Sequence, residues 1–314
     1  MYADDDTEVV ADADPDSLQE KLQIQADSSS TWIQENKMLC TGEKTKLLIV
    51  ATKEQRNIKL SGKQFHIYVG NITIEETNNE KLLGINMNND LAWNSHLYGN
   101  GQTGSGKTIG LVSKLSQRLG MLTKLKSFLN RKQLSMTVVG LFSSTLLYCL
   151  PLFLNTWGVT TIDDTVRRSP AFTKDDCRRL QVLQNKILKL KTGILSPYIS
   201  TKNLLEKSNE LSINQLGAYH TLVTTARMFN SKKPEYVANK FIGKIPLDEA
   251  VLPNQQMNKI SVYCKLSLGR SGFAYRAGKL WNNLPASLRC ESRMLVFKSN
   301  VRKWVKEFIP VKPL

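Results

Sequence analysis

Metal-ligand chemistry has little to work with in this chain. Three histidines (His66, His96, His220) and five cysteines (Cys40, Cys149, Cys177, Cys264, Cys290) lie far apart, and no C-x-x-C pair occurs. That spacing excludes a recognisable zinc site, and an odd number of scattered cysteines points to a reduced, intracellular protein, nuclear or cytoplasmic. Long apolar runs are also lacking. The longest, Val138 to Leu154, is interrupted by Gly140, Ser143, Ser144, Thr145 and Pro151, and falls short of the ~20 residues that span a bilayer. It is expected to form a buried helix, with no membrane as partner. Met1-Tyr2-Ala3-Asp4-Asp5-Asp6 offers neither a basic n-region nor an apolar h-region, so no secretory leader is expected there, and the start looks cut from something longer. Proline (10) and glycine (18) are too few among 314 residues for a collagen-like or low-complexity chain, while 41% hydrophobic residues suffice for a sizeable core. No repeat of solenoid period is present.

What is present in excess is positive charge, +16 in all. Its distribution is uneven. Residues 1–36 hold ten acids and one lysine, a net of −9, and residues 37–314 carry +25. Such a basic remainder suits a polyanionic partner, and the acidic start suits a cation, although solvated surface would produce the same totals.

The first hundred residues have mixed character. Tyr2-Ala3 and Thr7 to Ala11 flank three acids, which suits two short strands joined by an acidic turn. Asp16 can cap a helix carrying Leu18, Leu22, Trp32 and Ile33, interrupted near Ser28-Ser29-Ser30. Strands are expected at Lys46 to Ala51 and Phe65 to Val69, then beyond a Gly70-Asn71 hairpin turn at Ile72 and Ile74, and finally at Lys81 to Ile85. From residue 110 the period becomes helical. Leu111, Leu115, Leu119, Leu122 and Leu129 define one amphipathic helix, about Leu134 to Asn155 an apolar central one, and Leu180, Leu183, Ile187 and Leu190 a third. Ser212 opens another that Lys232-Lys233-Pro234 closes, and Phe297, Val301, Trp304, Val305 and Phe308 stripe the last. A Pro/Gly-punctuated stretch separates these two, from Ile242 to Asn258. The basic residues of these helices, including Lys114, Arg118, Arg131, Lys132, Lys189 and Lys191, face either a nucleic-acid backbone or water. Trp281 and Trp304 are expected as core anchors rather than base-stacking platforms, and His220 as a helix-packing residue.

Paired carboxylates in a tight turn suit a divalent cation, because hard oxygen ligands then converge at a fixed place. On chemistry alone Asp4 and Asp5 would remain an acidic terminus. Their context adds to this. Tyr2-Ala3-Asp4-Asp5, Trp32 to Lys37, Glu43-Lys44-Thr45-Lys46, Lys81 to Ile85 and Leu91 to Leu97 follow one another in the order and at the spacing of non-LTR retrotransposon reverse transcriptases, which the chain resembles. Leu115 to Gly120, Leu180 to Asn185, Lys232 to Tyr236, Arg270 to Phe273 with Leu280 to Pro285, and Phe297 to Pro313 look like that family's thumb and downstream region.

The resemblance implies an α+β fold. A small antiparallel β/α palm remnant with a primer-grip-like hairpin would occupy 1–97, a linker loop and helical thumb 98–160, and a helical post-thumb region 161–314. It also implies that Asp4 and Asp5 are the catalytic, metal-binding carboxylates for Mg²⁺. Two such ions would serve nucleotidyl transfer, one activating a 3′ hydroxyl and the other steadying pyrophosphate. RNA template and DNA primer would be partners of the intact enzyme. The family also needs fingers and an upstream palm strand carrying a further Asp, which this chain lacks, so the fragment is expected to be inactive alone. A non-catalytic module with weak, non-specific nucleic-acid binding is the alternative.

One motif argues for another class. Gly101-Gln102-Thr103-Gly104-Ser105-Gly106-Lys107-Thr108 satisfies G-x-x-x-x-G-K-[ST] and resembles the P-loop of kinesin motors. In such a loop glycine amides cradle phosphates, Lys107 reaches them and Thr108 can bind Mg²⁺. Trp93 to Asn100 does not read as the buried strand that a P-loop follows, and no Walker-B strand is evident. A linker between palm and thumb is the competing reading of Gly101, Gly106, Lys107 and Thr108.

Overall fold

The computed structural model describes residues 7–41, 44–99, 109–154, 173–194, 196, 198–235 and 272–311. The chain divides into two compact units, Met1–Thr108 and Ile109–Leu314. It is an α+β protein in which helix predominates and, among the described residues, the strands form two small sheets. Residues on both sides of position 160 belong to the second unit, because α4 (Leu111–Leu125) and α5 (Arg131–Val138) pack on α8 (Lys174–Thr192).

The first unit opens with α1, Pro15–Glu35. Its N-cap is Asp14, whose carboxylate accepts from Ser17 N–H, and not Asp16 as the sequence suggested. Pro15 explains the choice, since proline fits the first helical position, where an N–H would have no partner. The three serines do not interrupt α1, whose buried Ala26, with Leu22 beside it, packs on Ile67 and Ile74. Thr7 to Ala11 forms no strand, against expectation; no described strand pairs with it, and Val9 is 88% exposed.

The first sheet has the order β1-β3-β2, built from β1 (Lys46–Leu48), β2 (Ile67–Val69) and β3 (Ile72–Thr77). β2 and β3 form the expected hairpin, with Val69 opposite Ile72 across Gly70-Asn71. Gly70 has φ +59°, the left-handed region that a two-residue turn demands. β1 joins β3 in parallel, so this sheet is mixed rather than antiparallel. A parallel pair needs a crossover, and part of it is α2 (Lys53–Lys59), which the sequence reading missed although Thr52 and Gln55 form a full capping box. At the free edge of β2, Gln23 of α1 donates Nε2 to Tyr68 O and accepts from Tyr68 N, both at 2.9 Å.

Lys81 to Ile85 is not one strand but the tip of a second hairpin. β4 (Asn79–Leu82) and β5 (Ile85–Asn88) pair antiparallel, Leu82 opposite Ile85. Leu83 and Gly84 both have positive φ, the requirement of a type I′ turn. The hairpin rests on α3 (Asn94–Tyr98) through buried polar contacts. Asn86 Nδ2 donates to Ser95 O at 3.1 Å, and its backbone N–H donates to His96 Nδ1 at 3.4 Å.

In the second unit, α4 buries Leu111, Leu115 and Leu122 of the stripe read from the sequence, with Leu119 half-buried, and it ends at Leu125, so that Leu129 lies beyond it. The expected helix from about Leu134 to Asn155 is broken into pieces. After α5 comes a π-helical turn, Val139–Ser143, then α6 (Ser144–Leu147) and α7 (Leu150–Phe153). The chain turns at Cys149, φ +53°, and Pro151 starts α7. Leu134, Val138, Phe142, Leu146, Leu150 and Phe153 are buried, whereas Met136, Val139 and Tyr148 are at least half exposed. Arg131–Phe153 is the one stretch among the described residues apolar and long enough to cross a membrane by composition. The break at Tyr148-Cys149 and its one-sided burial against α4 and α8 suit an amphipathic element of a protein core.

α8 is followed by α9 (Thr201–Ser208), capped by Ser200 and missed in the sequence, and by α10 (Ile213–Ser231), opened by the expected Ser212. α11 (Phe273–Asn282), α12 (Ala286–Arg289) and α13 (Met294–Phe308) are the last described elements of the unit. α10, α11 and α13 share a core of Leu222, Ala277, Leu280, Trp281, Phe297, Val301 and Val305. Trp281 is an anchor of that core, as expected. Trp304 lies at its margin, stacked on Phe308 with ring centroids 4.5 Å apart.

Candidate nucleic-acid interface

The residues singled out for chemistry, Asp4 and Asp5 together with Gly101, Gly106, Lys107 and Thr108, lie outside the described residues, as does Ile242 to Asn258. What precedes the glycine-rich loop is described. It is the short helix α3, not a strand. A P-loop depends on a strand-to-helix transition to hold its amides concave, and that arrangement is not built by Asn94–Tyr98.

The second unit shows which cations are engaged within the fold. The Arg118 guanidinium donates to Leu141 O in the π-helical turn. Arg289 donates to the carbonyls of Asn282 and Leu284, Arg302 to Asn209 O and Lys306 to Asn209 Oδ1. Arg276 is buried entirely. It donates to Leu154 O, to Leu152 O at 2.7 Å and to Pro151 O at 3.3 Å, so it ties α11 to the end of α7. Burial pushes its pKa down to about 10, with no carboxylate partner among the described residues, and it is still charged at neutral pH. Counting basic residues in the sequence therefore overstates the number available to a polyanion.

The segment Leu180 to Asn185 also proves structural. Gln181 Oε1 accepts from Ile213 N–H at 2.9 Å, and its Nε2 reaches Gln184 Oε1 and Asn185 Oδ1. Gln184 Nε2 donates to Leu211 O, Asn185 Nδ2 to Thr201 Oγ1, and Gln215 Nε2 to Ile309 O, each at 2.8 Å. These amides satisfy backbone at the α9–α10 turn and at the end of α13, where an unpaired group would cost about 1–3 kcal/mol.

An open cleft of about 490 Å³ remains on the second unit, lined by Arg131, Lys132, Ser135, Lys191, Thr192, Lys207 and Ser208. Three helix ends converge there: the first turn of α5 and the last turns of α8 and α9. Lys191 Nζ lies 2.9 Å from Glu210 Oε1, and Arg302 reaches the other oxygen of that carboxylate at 4.0 Å. Among the described residues, Arg131, Lys132 and Lys207 have no carboxylate partner. The sequence reading included Arg131, Lys132 and Lys191 among its basic residues but could not place them together.

His220, on α10, is partly buried and its ring packs edge-on against Tyr219. Burial first, then Arg227 and Arg302, hold its pKa below the usual value. The folded state thus binds this proton less readily than the unfolded state. The associated stability is present above the unfolded pKa, near 6.5, and is lost as pH falls from there towards the lowered folded value. Melting curves at about pH 7.5 and about pH 5.5 are expected to show a smaller acid destabilisation in His220→Gln than in the parent; an equal loss in both would assign the effect to other groups.

Among the described residues no group of three or more His, Cys, Asp and Glu side chains could hold a metal ion. Comparison with known proteins adds no relative: no family model, no curated protein and no solved structure matches the chain.

Proposed function

We propose that this chain is the C-terminal part of a non-LTR retrotransposon reverse transcriptase, and that its helical unit serves as a nucleic-acid-binding surface. The carrying observation is the ordered set of sequence motifs from Tyr2-Ala3-Asp4-Asp5 to the last helix. Support comes from the charge of +25 on residues 37–314 and from the basic cleft of the second unit. The β4–β5 hairpin overlaps the Lys81 to Leu97 stretch that, on this reading, corresponds to the family's primer grip and entry into the thumb.

On this reading Asp4 and Asp5 are catalytic carboxylates that hold Mg²⁺ in the intact enzyme, and the setting is intracellular, nuclear or cytoplasmic. Bound Mg²⁺ would supply charge neutralisation for nucleotidyl transfer. On this reading the geometry also requires the carboxylate of an upstream palm strand. Fusing the fingers and upstream palm of a family member ahead of Met1 is expected to yield template-dependent incorporation of deoxynucleotides. Asp4→Ala in the fusion should lower incorporation by about a hundred- to a thousandfold, the scale set by removing transition-state charge stabilisation. Incorporation that persists in the Asp4→Ala fusion would remove Asp4 from the site, and activity of the isolated chain would show that another acid completes it.

A further inference from the structure

We propose that the cleft between α5, α8 and α9 is a clamp for consecutive backbone phosphates of a single-stranded nucleic acid, with Glu210 as its built-in competitor. The proposal rests on the reading that the second unit binds nucleic acid, and it names where and through which residues.

Helix electrostatics separate a site from ordinary surface here. Lys191 and Lys207 sit in the last turns of α8 and α9, where cations complement the negative end of the macrodipole. That alone would account for them. Arg131 and Lys132 are different, because they occupy the first two positions of α5, where the macrodipole is positive and no acid is present in the first turn. Two cations there oppose the dipole and line the same cleft as Lys207. The Asn130–Gln133 capping box satisfies the Gln133 amide, but the amides of Arg131 and Lys132 have no acceptor in it. An anion in the cleft would reverse each of these unfavourable terms.

The hydroxyls add direction. Thr192 and Ser208 spend their protons on Leu188 O and Leu204 O, at 2.8 and 2.7 Å, leaving oxygen lone pairs towards neighbouring donors. Ser135 has no such bond among the described residues and can donate to a phosphate oxygen. The open shape and four cations drawn from three helices suit a strand running through rather than one enclosed phosphate. Charged ligands of this kind are bound by lysine and arginine with little base preference.

Glu210 sets the strength of the clamp. Its carboxylate holds Lys191 and lies at the edge of Arg302, so a bound strand must compete for Lys191. Glu210→Gln keeps the shape and removes the competitor.

The test uses the full chain and a fluorescent oligouridylate of about 20 nucleotides, titrated by anisotropy across a salt series. The variant R131Q/K132Q/K207Q should bind roughly tenfold or more weakly. Its slope of log K against log salt should be shallower by about 2, from ~0.7 per lost contact on a single strand. A control, K202Q/K279Q/K303Q, removes equal charge from residues that do not line the cleft and should change affinity by no more than about twofold. Glu210→Gln should tighten binding by about two- to fivefold, and an excess of inorganic phosphate should not displace the strand at matched ionic strength. Circular dichroism and melting of each variant establish that it is folded. Equal weakening by cleft and control variants, or an unchanged slope in the cleft variant, would overturn the clamp and leave nucleic-acid binding standing. Displacement by inorganic phosphate would reassign the cleft to a free anion. No binding by the parent chain at low salt would overturn the clamp and the reading beneath it together.

Discussion

Arg276→Met is expected to destabilise the helical unit by about 3–5 kcal/mol, the largest effect of any single substitution considered. Methionine matches much of the arginine's length and volume, so the loss is chiefly electrostatic. Three carbonyls, of Pro151, Leu152 and Leu154, lose their shared donor at once. Leu154 is fully buried while Pro151 and Leu152 are nearer the surface, and a buried carbonyl left without a partner costs about 1–3 kcal/mol. Against this stands the relief of desolvating a cation that, among the described residues, has no carboxylate partner and whose Nε has no acceptor. Three lost bonds outweigh that relief because the donor is charged and the acceptors sit at a helix C-terminus, where its positive charge is favoured. Arg276→Lys should recover only part of the loss, since an ammonium cannot reach all three carbonyls in one plane. Urea unfolding monitored by circular dichroism measures both, and a methionine variant as stable as the parent would show that burying the cation costs as much as its bonds return.

Gly217→Ala should destabilise by about 1–3 kcal/mol, although alanine is the better helix former by about 1 kcal/mol. An added Cβ on α10 would stand 1.9 Å from Leu154 Cδ2 and 3.0 Å from its Cγ. Leu154 is fully buried, and Arg276 holds its carbonyl, so neither its side chain nor its backbone can readily give way. Gly120, in the middle of α4, is the comparison: nothing lies within 4 Å of a Cβ there, and Gly120→Ala is expected to be neutral or stabilising. Trimming the obstacle should rescue the first variant in part, so Gly217→Ala and Leu154→Ala combined should cost less than the sum of the two alone. Additive losses in a double-mutant cycle would mean that the two positions do not meet.

Much of the local structure was legible because its signals are short-range. Gly70-Asn71 between apolar strands specified the first hairpin, and Ser212 marked the start of α10. The capping box of Thr52 and Gln55 was equally available and was overlooked in favour of the surrounding β-rich residues. The second hairpin was harder to see, because its turn puts Leu83, a residue with no preference for positive φ, beside Gly84. Long-range features were not legible at all. Arg276, five residues from Trp281 and close to Lys279, has the setting of a surface arginine, yet it caps a helix more than a hundred residues earlier. Gln181, Gln184 and Gln215 likewise resemble solvent-facing residues until the turn they support is present. The cleft escaped for a related reason, since α5, α8 and α9 each contribute only one or two cations. The acids and the glycine-rich loop that carried most of the chemical expectation lie outside the described residues.

The contact between Gln23 and Tyr68 bears on how the first unit behaves in a crowded solution. β2 ends its sheet, and such an edge offers its outward N–H and C=O groups to any passing extended chain. The Gln23 amide presents the same donor and acceptor pair that another strand would bring, and fills that position from within the molecule. Because β2 is only three residues long, one side chain occupies a large fraction of its open rim. Edge-to-edge pairing between copies would therefore have to displace a bidentate intramolecular contact before its first intermolecular bond could form, which favours solubility over fibrillar association.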